Sequence, residues 1–379
     1  MSSSPTIVDL FCGCGGFGLG AELAGFKTIV AVDIDPTLQS AYKKNFPETH
    51  VLNGDISQLN EESWRIMLNG AEVDGVIGGP PCQGYSRMGK SDKKDPRRTL
   101  LSHFFRNVNI INPKFFIMEN VEGLMDKRNV YELKNAIKIL DKKYTILEPM
   151  IIDSSLFGAP TKRKRVILIG YNPQVLSPLR EDDFQPKLDL STTVWDAISD
   201  LASPIAQSKD KSDFGWKEYP KYNELSIYAK KMRTLPRDGL GWSESLKKLS
   251  DGLTSGYFDT IHMPSVSKRY SEIEPGLVDK ISRAKKLSWL GLCPTLRAGT
   301  GVDKGSHQAV RPIHPDQPRV ITVREAARLQ GFPDWFVFHP TKWHSFRMIG
   351  NSVSPIVSEA ILSKVKQILD NKNNTRKVV

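Results

Sequence analysis

The sequence predicts an α/β fold, a parallel sheet covered by helices, joined to a second domain of different character. Three observations carry that expectation. Apolar runs alternate with helical stretches from residue 5 to about residue 172, the pattern of βαβ units. Beyond that point the alternation stops, and prolines, tryptophans and short mixed segments take over. The chain has 379 residues, enough at roughly 150 per domain for two domains, or one with an insertion.

The elements follow in order. Residues 5–11 (Pro-Thr-Ile-Val-Asp-Leu-Phe) read as a short buried strand. A glycine-rich turn, Cys12-Gly-Cys-Gly-Gly-Phe-Gly-Leu-Gly20, leads into a helical stretch over residues 21–25. Lys27-Thr-Ile-Val-Ala-Val32 is a second strand ending at Asp33, followed by a helix with Leu38, Ala41 and Tyr42 on one face. Further strands are expected at residues 50–53, running to Gly54-Asp55, and at 73–77, 114–119 and 165–170. After the irregular central region, Thr322–Gln330 is strongly helical. A last helix from about Pro355 to Leu369 is amphipathic through Ile356, Ala360, Ile361, Val365 and Ile368, and the tail from Asn371 is expected to fray.

Composition narrows the class. Apolar residues make up 39% and charged residues 25%, which excludes wholesale disorder. No apolar run reaches the ~18 residues of a membrane helix, and the Met-Ser-Ser-Ser-Pro start lacks the features of a secretory signal. The net charge of +11 is unevenly placed: −5 over residues 1–89, +8 over 90–170, +1 over 171–290 and +7 over 291–379. Clustered Lys/Arg of this kind is a polyanion-binding footprint and predicts steeply salt-dependent binding to nucleic acid. Four cysteines, Cys12, Cys14, Cys82 and Cys293, are too few to staple the chain and read as free thiols in a reducing compartment. Their spacing does not suit zinc, so no metal is expected.

A strand running into Gly13-Cys-Gly-Gly16 and then a helix makes a nucleotide-type cradle, since glycine lets the backbone approach a ligand. Asp33 ends the next strand, where an acidic residue commonly takes the two hydroxyls of a ribose. The glycine spacing fits neither a dinucleotide fingerprint nor a P-loop, and no lysine follows to hold phosphates. A nucleoside derivative without phosphate is the better match, S-adenosylmethionine above all.

Gly79-Pro-Pro-Cys82-Gln-Gly-Tyr-Ser86 places a thiol just past a strand, at the ligand-binding end of an open α/β sheet. Two prolines fix its approach. The basic stretch Arg87, Lys90, Lys93, Lys94, Arg97, Arg98 follows at once, and nearby positive charge favours the nucleophilic thiolate. Glu119 closes the next strand as a candidate general acid. In Thr161-Lys-Arg-Lys-Arg165, strand alternation sends Arg163 and Arg165 to one side and Lys162 and Lys164 to the other.

An ordered set of motifs now resembles the DNA (cytosine-5-)methyltransferases of prokaryotic type. The set is Asp9-Leu-Phe-Cys-Gly-Cys-Gly-Gly16, Gly54-Asp55-Ile56, Pro80-Pro-Cys-Gln83, Glu119-Asn-Val121, Arg163-Lys-Arg165, the run from Arg319 to Pro333, and Gly350-Asn-Ser-Val353. The resemblance implies a Rossmann-like S-adenosylmethionine-dependent large domain, residues 1–172 plus 341–379, with a smaller target-recognition domain, 173–340, inserted. It implies Cys82 as nucleophile, Glu119 at the N3 edge of the base, and Arg163 and Arg165 as supports of base and carboxyl. For the cofactor it points to Phe11, Gly13, Gly15, Gly16, Asp33, Ile34, Asp55, Pro81, Leu100, Asn351 and Val353. The DNA contacts expected are Ser86, Arg87, Lys93, Lys94, Arg97, Arg98, Thr295 and Arg297, with Thr295-Leu296 resembling the dipeptide that closes the recognition region. Asp33 stands where many relatives have Glu, and Thr161 where many have Gln.

The activity implied is methyl transfer from S-adenosylmethionine, released as S-adenosylhomocysteine, to C5 of a cytosine in a specific double-stranded DNA sequence. A covalent Cys82–C6 adduct and base flipping go with it. The enzyme is expected to be a monomer in the prokaryotic cytoplasm, near the nucleoid. Its further association is genetic, with a restriction endonuclease. A tRNA cytosine-5 methyltransferase of similar fold is the main rival; the long central insertion and the absence of a Cys-Phe-Thr segment favour DNA.

Overall fold

In the computed structural model, residues 4–81, 99–186, 192–221, 224–298 and 311–376 are described, with side chains to residue 371. The first half alternates as expected: β1 (Thr6–Leu10), α1 (Gly16–Leu23), β2 (Lys27–Asp33), α2 (Pro36–Asn45), β3 (His50–Asn53), α3 (Glu61–Leu68), β4 (Gly75–Gly78), α4 (Leu100–Ile111) and β5 (Phe115–Val121). Then come α5 (Val130–Ile137), β6 (Thr145–Ile146), β7 (Met150–Asp153), β8 (Thr161–Lys162) and β9 (Lys164–Tyr171). The central region holds α6 (Val194–Ile198), β10 (Lys217–Glu218), α7 (Ile227–Arg233), α8 (Ser243–Ser250), β11 (Leu253–Thr254), α9 (Pro264–Glu272) and β12 (Cys293–Pro294). It ends in α10 (Val323–Gln330), α11 (Lys342–Asn351) and α12 (Pro355–Arg376).

Eight of these strands form one sheet in the order β3-β2-β1-β4-β5-β9-β6, with β7 also paired to β9. Strands β1 to β5 are parallel, but β9 runs antiparallel to β5, β6 and β7. A wholly parallel sheet was therefore too simple. The link from β7 to β9 carries no α-helix, so the chain turns back beside β7 instead of crossing over. The short β6 and β7 were absent from the sequence reading; two to four residues give period-2 patterning little to work on.

The sheet separates two apolar layers by strand alternation. Val8, Leu10, Phe116, Met118 and Leu168 face α4, whose Phe104 and Phe105 are fully buried. Ile7, Ile77, Ile117, Ile167 and Ile169 face α1 and α12. A third layer joins Tyr42 of α2 and Phe46 just after it to Phe332, Trp335 and Phe336, so the central region packs directly on the sheet domain's helix.

Helix starts follow local chemistry. Asp35 caps α2, accepting from Thr37 and Leu38 N–H groups at 2.9 and 3.2 Å, with Pro36 at the first turn. Thr322 and Glu325 form a reciprocal capping box on α10. Helix α1 starts at Gly16, five residues before the expected position. Intrinsic propensity argues against so glycine-rich a helix; close packing overrides it. A Cβ on Gly20 would stand 2.3 Å from Ser358 Cβ on α12, so glycine is what admits that helix. Ser358 Oγ also donates to Phe17 O at 2.7 Å. Helix α12 packs on α1, sharing a core with Ile7 of β1, and its backbone stays helical through Arg376 where fraying was expected. Among the described residues no helix is long and apolar enough to cross a membrane.

Candidate active site

The chain leaves β1 for β2 and β3 on one side and reaches β4 and β5 on the other, so the sheet order reverses between β1 and β4. Open α/β sheets bind ligands at the carboxyl ends of strands flanking such a reversal. A cavity of about 650 Å³ lies there, within the usual range of ligand sites. Its walls include Phe11, Gly13, Gly16, Asp33, Ile34, Asp55, Pro81, Leu100, Asn351 and Val353 together with Glu119, Arg163 and Arg165. Residues more than 300 positions apart thus meet in one space.

Gly15 is the exception. It does not line the cavity; with φ at +100° it caps α1, and a Cβ there would stand 2.4 Å from the Phe46 ring. Its smallness serves the core under α2. Gly13, φ +56°, has open space where a Cβ would be, as a backbone meant to approach a ligand requires. Phe11 also adopts positive φ, +56°.

Asp33 has a second task that the sequence did not disclose. Its carboxylate accepts from Gly13 N–H at 2.9 Å and from Asp35 N–H at 2.8 Å, pinning the glycine turn to the end of β2. Burial pushes its pKa up. Ile34 beside it is 68% exposed, an apolar side chain presented at the cavity. Asp9, unremarked in the sequence beyond its motif, is 1% exposed and lines the cavity. Burial raises its pKa well above the ordinary carboxylate range.

At the chemical end, Glu119 is buried and its carboxylate lies 2.9 Å from Arg165 Nε. Asn120 donates to Pro80 O at 3.1 Å, tying the Pro80–Pro81 approach to the strand that carries Glu119. Cys82, Ser86 and the basic residues Arg87, Lys93, Lys94, Arg97 and Arg98 lie outside the described residues. Pro81, next to Cys82, does line the cavity.

The expected alternation at 162–165 holds: Lys162 and Lys164 are exposed, Arg163 is buried and Arg165 half-buried. The two arginines nonetheless differ in task. Arg163 Nη1 donates to Leu296 O and Gly350 O at 3.3 and 3.1 Å, and Nη2 donates to Ser352 O at 2.9 Å. It clamps the Leu296 and Gly350–Ser352 backbone segments to its own strand, while Arg165 faces Glu119. Gln330 adds a bond to Ser352 O at 2.9 Å. Thr161 Oγ1 donates to Leu329 O, giving that departure from the family pattern a structural role. Strand β12 pairs with β8, and Thr295 Oγ1 donates to Lys162 O at 2.7 Å. Arg297 is exposed.

Cys12, Cys14 and Cys293 are buried and unpaired with one another. Burial pushes the thiols of Cys14 and Cys293 up to about 12 and raises that of Cys12 as well, so all three stay protonated near neutrality. Sequence reasoning missed the supports of the site: Asp9, Asn120, Ser352, Gln330 and the Arg347–Asp35 ion pair. Asn120 and Ser352 sat within motifs already noticed, flanked by the residues that drew attention.

Gly350 allows a tight backbone-to-backbone junction. A Cβ there would lie 2.3 Å from Ala298 N and Arg297 C. Gly350→Ala should force α11 away from the Thr295–Arg297 segment and cost about 1–3 kcal/mol as overpacking. A lowered melting temperature by calorimetry is the expected reading; an unchanged one would refute the tight junction.

A mostly parallel α/β sheet with a cavity at its topological reversal, holding a glycine turn at one end and a carboxylate–arginine pair at the other, defines a nucleoside-type enzyme site. The chain belongs to the C-5 cytosine-specific DNA methylase family, whose model matches residues 5–367. It is thus an enzyme of the cytosine-C5 DNA methyltransferase class, in a family dependent on S-adenosylmethionine. Among similar proteins, the Type II methyltransferase M.XorII of Xanthomonas oryzae pv. oryzae is 39% identical, covering 97% of this chain and 86% of the relative. The Type II methyltransferase M.DdeI of Desulfomicrobium norvegicum is 31% identical over 97% and 90%. A crystal structure described as a DNA modification methyltransferase encoded within an Escherichia coli prophage superposes with a TM-score of 0.86. It is 40% identical and covers 97% of this chain and all of its own. The Schizosaccharomyces pombe Dnmt2 methyltransferase shares the fold at TM-score 0.60 and 17% identity.

Proposed function

We propose that this protein transfers a methyl group from S-adenosylmethionine to C5 of a cytosine within a specific double-stranded DNA sequence, as the modification enzyme of a Type II restriction–modification pair. The observation that carries the reading is a single cavity shared by the Gly13 turn, the Pro80–Pro81 approach to Cys82, and the Glu119–Arg165 pair. The names of the Type II relatives support the cellular role. Residues 1–172 with 341–379 form the catalytic domain in this reading, and 173–340 the recognition domain. The enzyme works as a monomer in the cytoplasm.

The cavity suits the cofactor. Gly13 leaves open backbone, Ile34 offers an exposed apolar face for a flat ring, and Asp33 and Asp55 offer acceptors for ribose or base. When bound there, S-adenosylmethionine supplies the methyl group that C5 receives. The chain's own residues make C5 reactive. The Cys82 thiolate adds to C6, the C5=C6 double bond opens, and C5 gains enamine character. Glu119 gives a hydrogen bond or proton at N3, and Arg165 meets O2, offsetting the charge that builds on the ring. After methylation the C5 proton leaves to a base, the C6–S bond breaks, and the double bond and thiolate are restored. Inside a duplex C6 is stacked, so the nucleotide must first be extruded, at a cost of a few kcal/mol.

Bisulfite sequencing of DNA from cells expressing the chain tests this directly. Protected cytosines in one recurrent sequence are expected; none, with methylation of RNA instead, would overturn it. Asp33→Ala should weaken S-adenosylmethionine binding by about tenfold or more, because a half-buried carboxyl acceptor that holds the glycine turn is lost. Calorimetry giving unchanged affinity in a folded variant would rule out that assignment.

A further inference from the structure

Two tethers join α11 to the far wall of the cofactor cavity. Arg347 Nη2 of α11 donates to Asp35 Oδ2 at the corner between β2 and α2, and both residues line the cavity. At the next residue of α11, Met348 O accepts from the Cys14 thiol of the glycine turn at 3.7 Å. Resting on the proposed use of S-adenosylmethionine, we propose that Arg347 is a positioning residue for the cofactor: its ion pair with Asp35 latches α11 onto the corner that carries Asp33 and slows release of the bound nucleoside.

The contacts close into a ring around the cavity. Asp33 accepts from Gly13 N–H at 2.9 Å and from Asp35 N–H at 2.8 Å. Asp35 Oδ1 caps α2 through the Thr37 and Leu38 N–H groups, which leaves Oδ2 for Arg347. Cys14, next to Gly13, leads back to α11. The ring thus runs from Arg347 through Asp35, Asp33 and the glycine turn to Met348. Its links differ in kind. Cys14 is buried, and Asp33 holds its two partners through their backbone N–H groups. The Arg347–Asp35 link joins residues 312 positions apart through side chains that are 29% and 21% exposed. It is therefore the link that water reaches and that parts without opening the core. Leu38, Ala41, Met348 and Ile349 share one apolar cluster, which keeps the two walls folded when the pair breaks. The electrostatics agree. Burial alone would raise the Asp35 pKa, but the Arg347 guanidinium and the α2 N–H groups outweigh it and hold it below its ordinary value. Arg347 also opposes the rise that burial imposes on Asp33. A wall ordered in advance costs the ligand less to bind, and it must part before the ligand leaves.

The test measures S-adenosylmethionine and S-adenosylhomocysteine on the full-length enzyme, with affinity from calorimetry and dissociation rate from surface plasmon resonance. R347M should bind both about three- to tenfold more weakly, through faster dissociation, as suits a partly exposed charged hydrogen bond. R347K keeps the charge and should recover most of the loss. D35N keeps an acceptor for the α2 cap, so it should fold and lose about as much affinity as R347M. The double variant R347M/D35N should bind no more weakly than either single one, because both changes remove the same contact. Wild-type affinity and dissociation rate in R347M would overturn the proposal. So would additive losses in the double variant, or R347K no better than R347M, since either outcome assigns these residues to packing alone. A wild type that binds no S-adenosylmethionine would instead overturn the cofactor reading itself, and the latch with it.

Discussion

Replacing Cys82 with serine should abolish turnover while leaving duplex binding in place. A hydroxyl is far less ionised near pH 7 than a thiol, so addition to C6 stalls. Phosphate contacts and base extrusion do not use the nucleophile, and should persist. The wild type offers a positive counterpart. A target cytosine carrying fluorine at C5 has no C5 proton to lose after methylation. Elimination then stops, and a stable protein–DNA adduct should accumulate when S-adenosylmethionine is supplied. Cys12, Cys14 and Cys293 are built-in controls: all are buried, and burial holds each thiol in its protonated form. Their combined replacement should leave the adduct intact. A denaturing gel and peptide mass spectrometry locate the link. A link at any residue but Cys82 would sink the mechanism.

Removing everything from Gly350 onward should eliminate cofactor binding. Asn351, Ser352 and Val353 line the cavity, and Arg163 and Gln330 both bond Ser352 O. Helix α12 also buries Val357, Ile361, Leu362, Val365 and Leu369 against α1 and the sheet. At about 1.5–3 kcal/mol for each buried aliphatic side chain, that is comparable with the ~5–15 kcal/mol stability of a whole domain. The truncated chain should therefore lose its fold as well as its pocket. Asn351→Ala with Val353→Ala separates the two effects: the chain should remain folded by circular dichroism and bind S-adenosylmethionine at least tenfold more weakly. Full-strength binding by either variant would refute the placement of this segment in the cofactor pocket.

Much of the site was legible because its residues sit in short motifs at strand ends. Such positions are constrained locally: a strand, a turn that needs glycine or proline, then a helix. Gly13, Asp33, Asp55, Pro81 and Glu119 were found that way, and all five line the cavity. The supports were not legible, because each acts across a long sequence separation. Arg163 reaches Gly350, 187 positions away, and Cys14 Sγ lies 3.1 Å from Ser352 Oγ, 338 positions away. Asn120 holding Pro80 and Asp33 holding Gly13 are side-chain-to-backbone bonds that leave no periodic trace.

The sequence by itself determined the alternating strands and helices, the chemistry at their ends, and the outward pairing of Lys162 with Lys164. Hydrophobic period and turn chemistry are local, and they act before the chain closes. Only the tertiary structure decided which glycines serve a ligand and which serve packing. Gly13 faces open space, whereas Gly15, Gly20 and Gly350 are small because Phe46, Ser358 and the Arg297–Ala298 backbone occupy the space a Cβ needs. It also decided that β9 runs antiparallel and that Arg163 and Arg165, two residues apart, do different work. These outcomes depend on which distant surface arrives opposite each residue. That is set by the order of strands in the sheet and the close packing of helices on it, not by the residue's own neighbours in the chain.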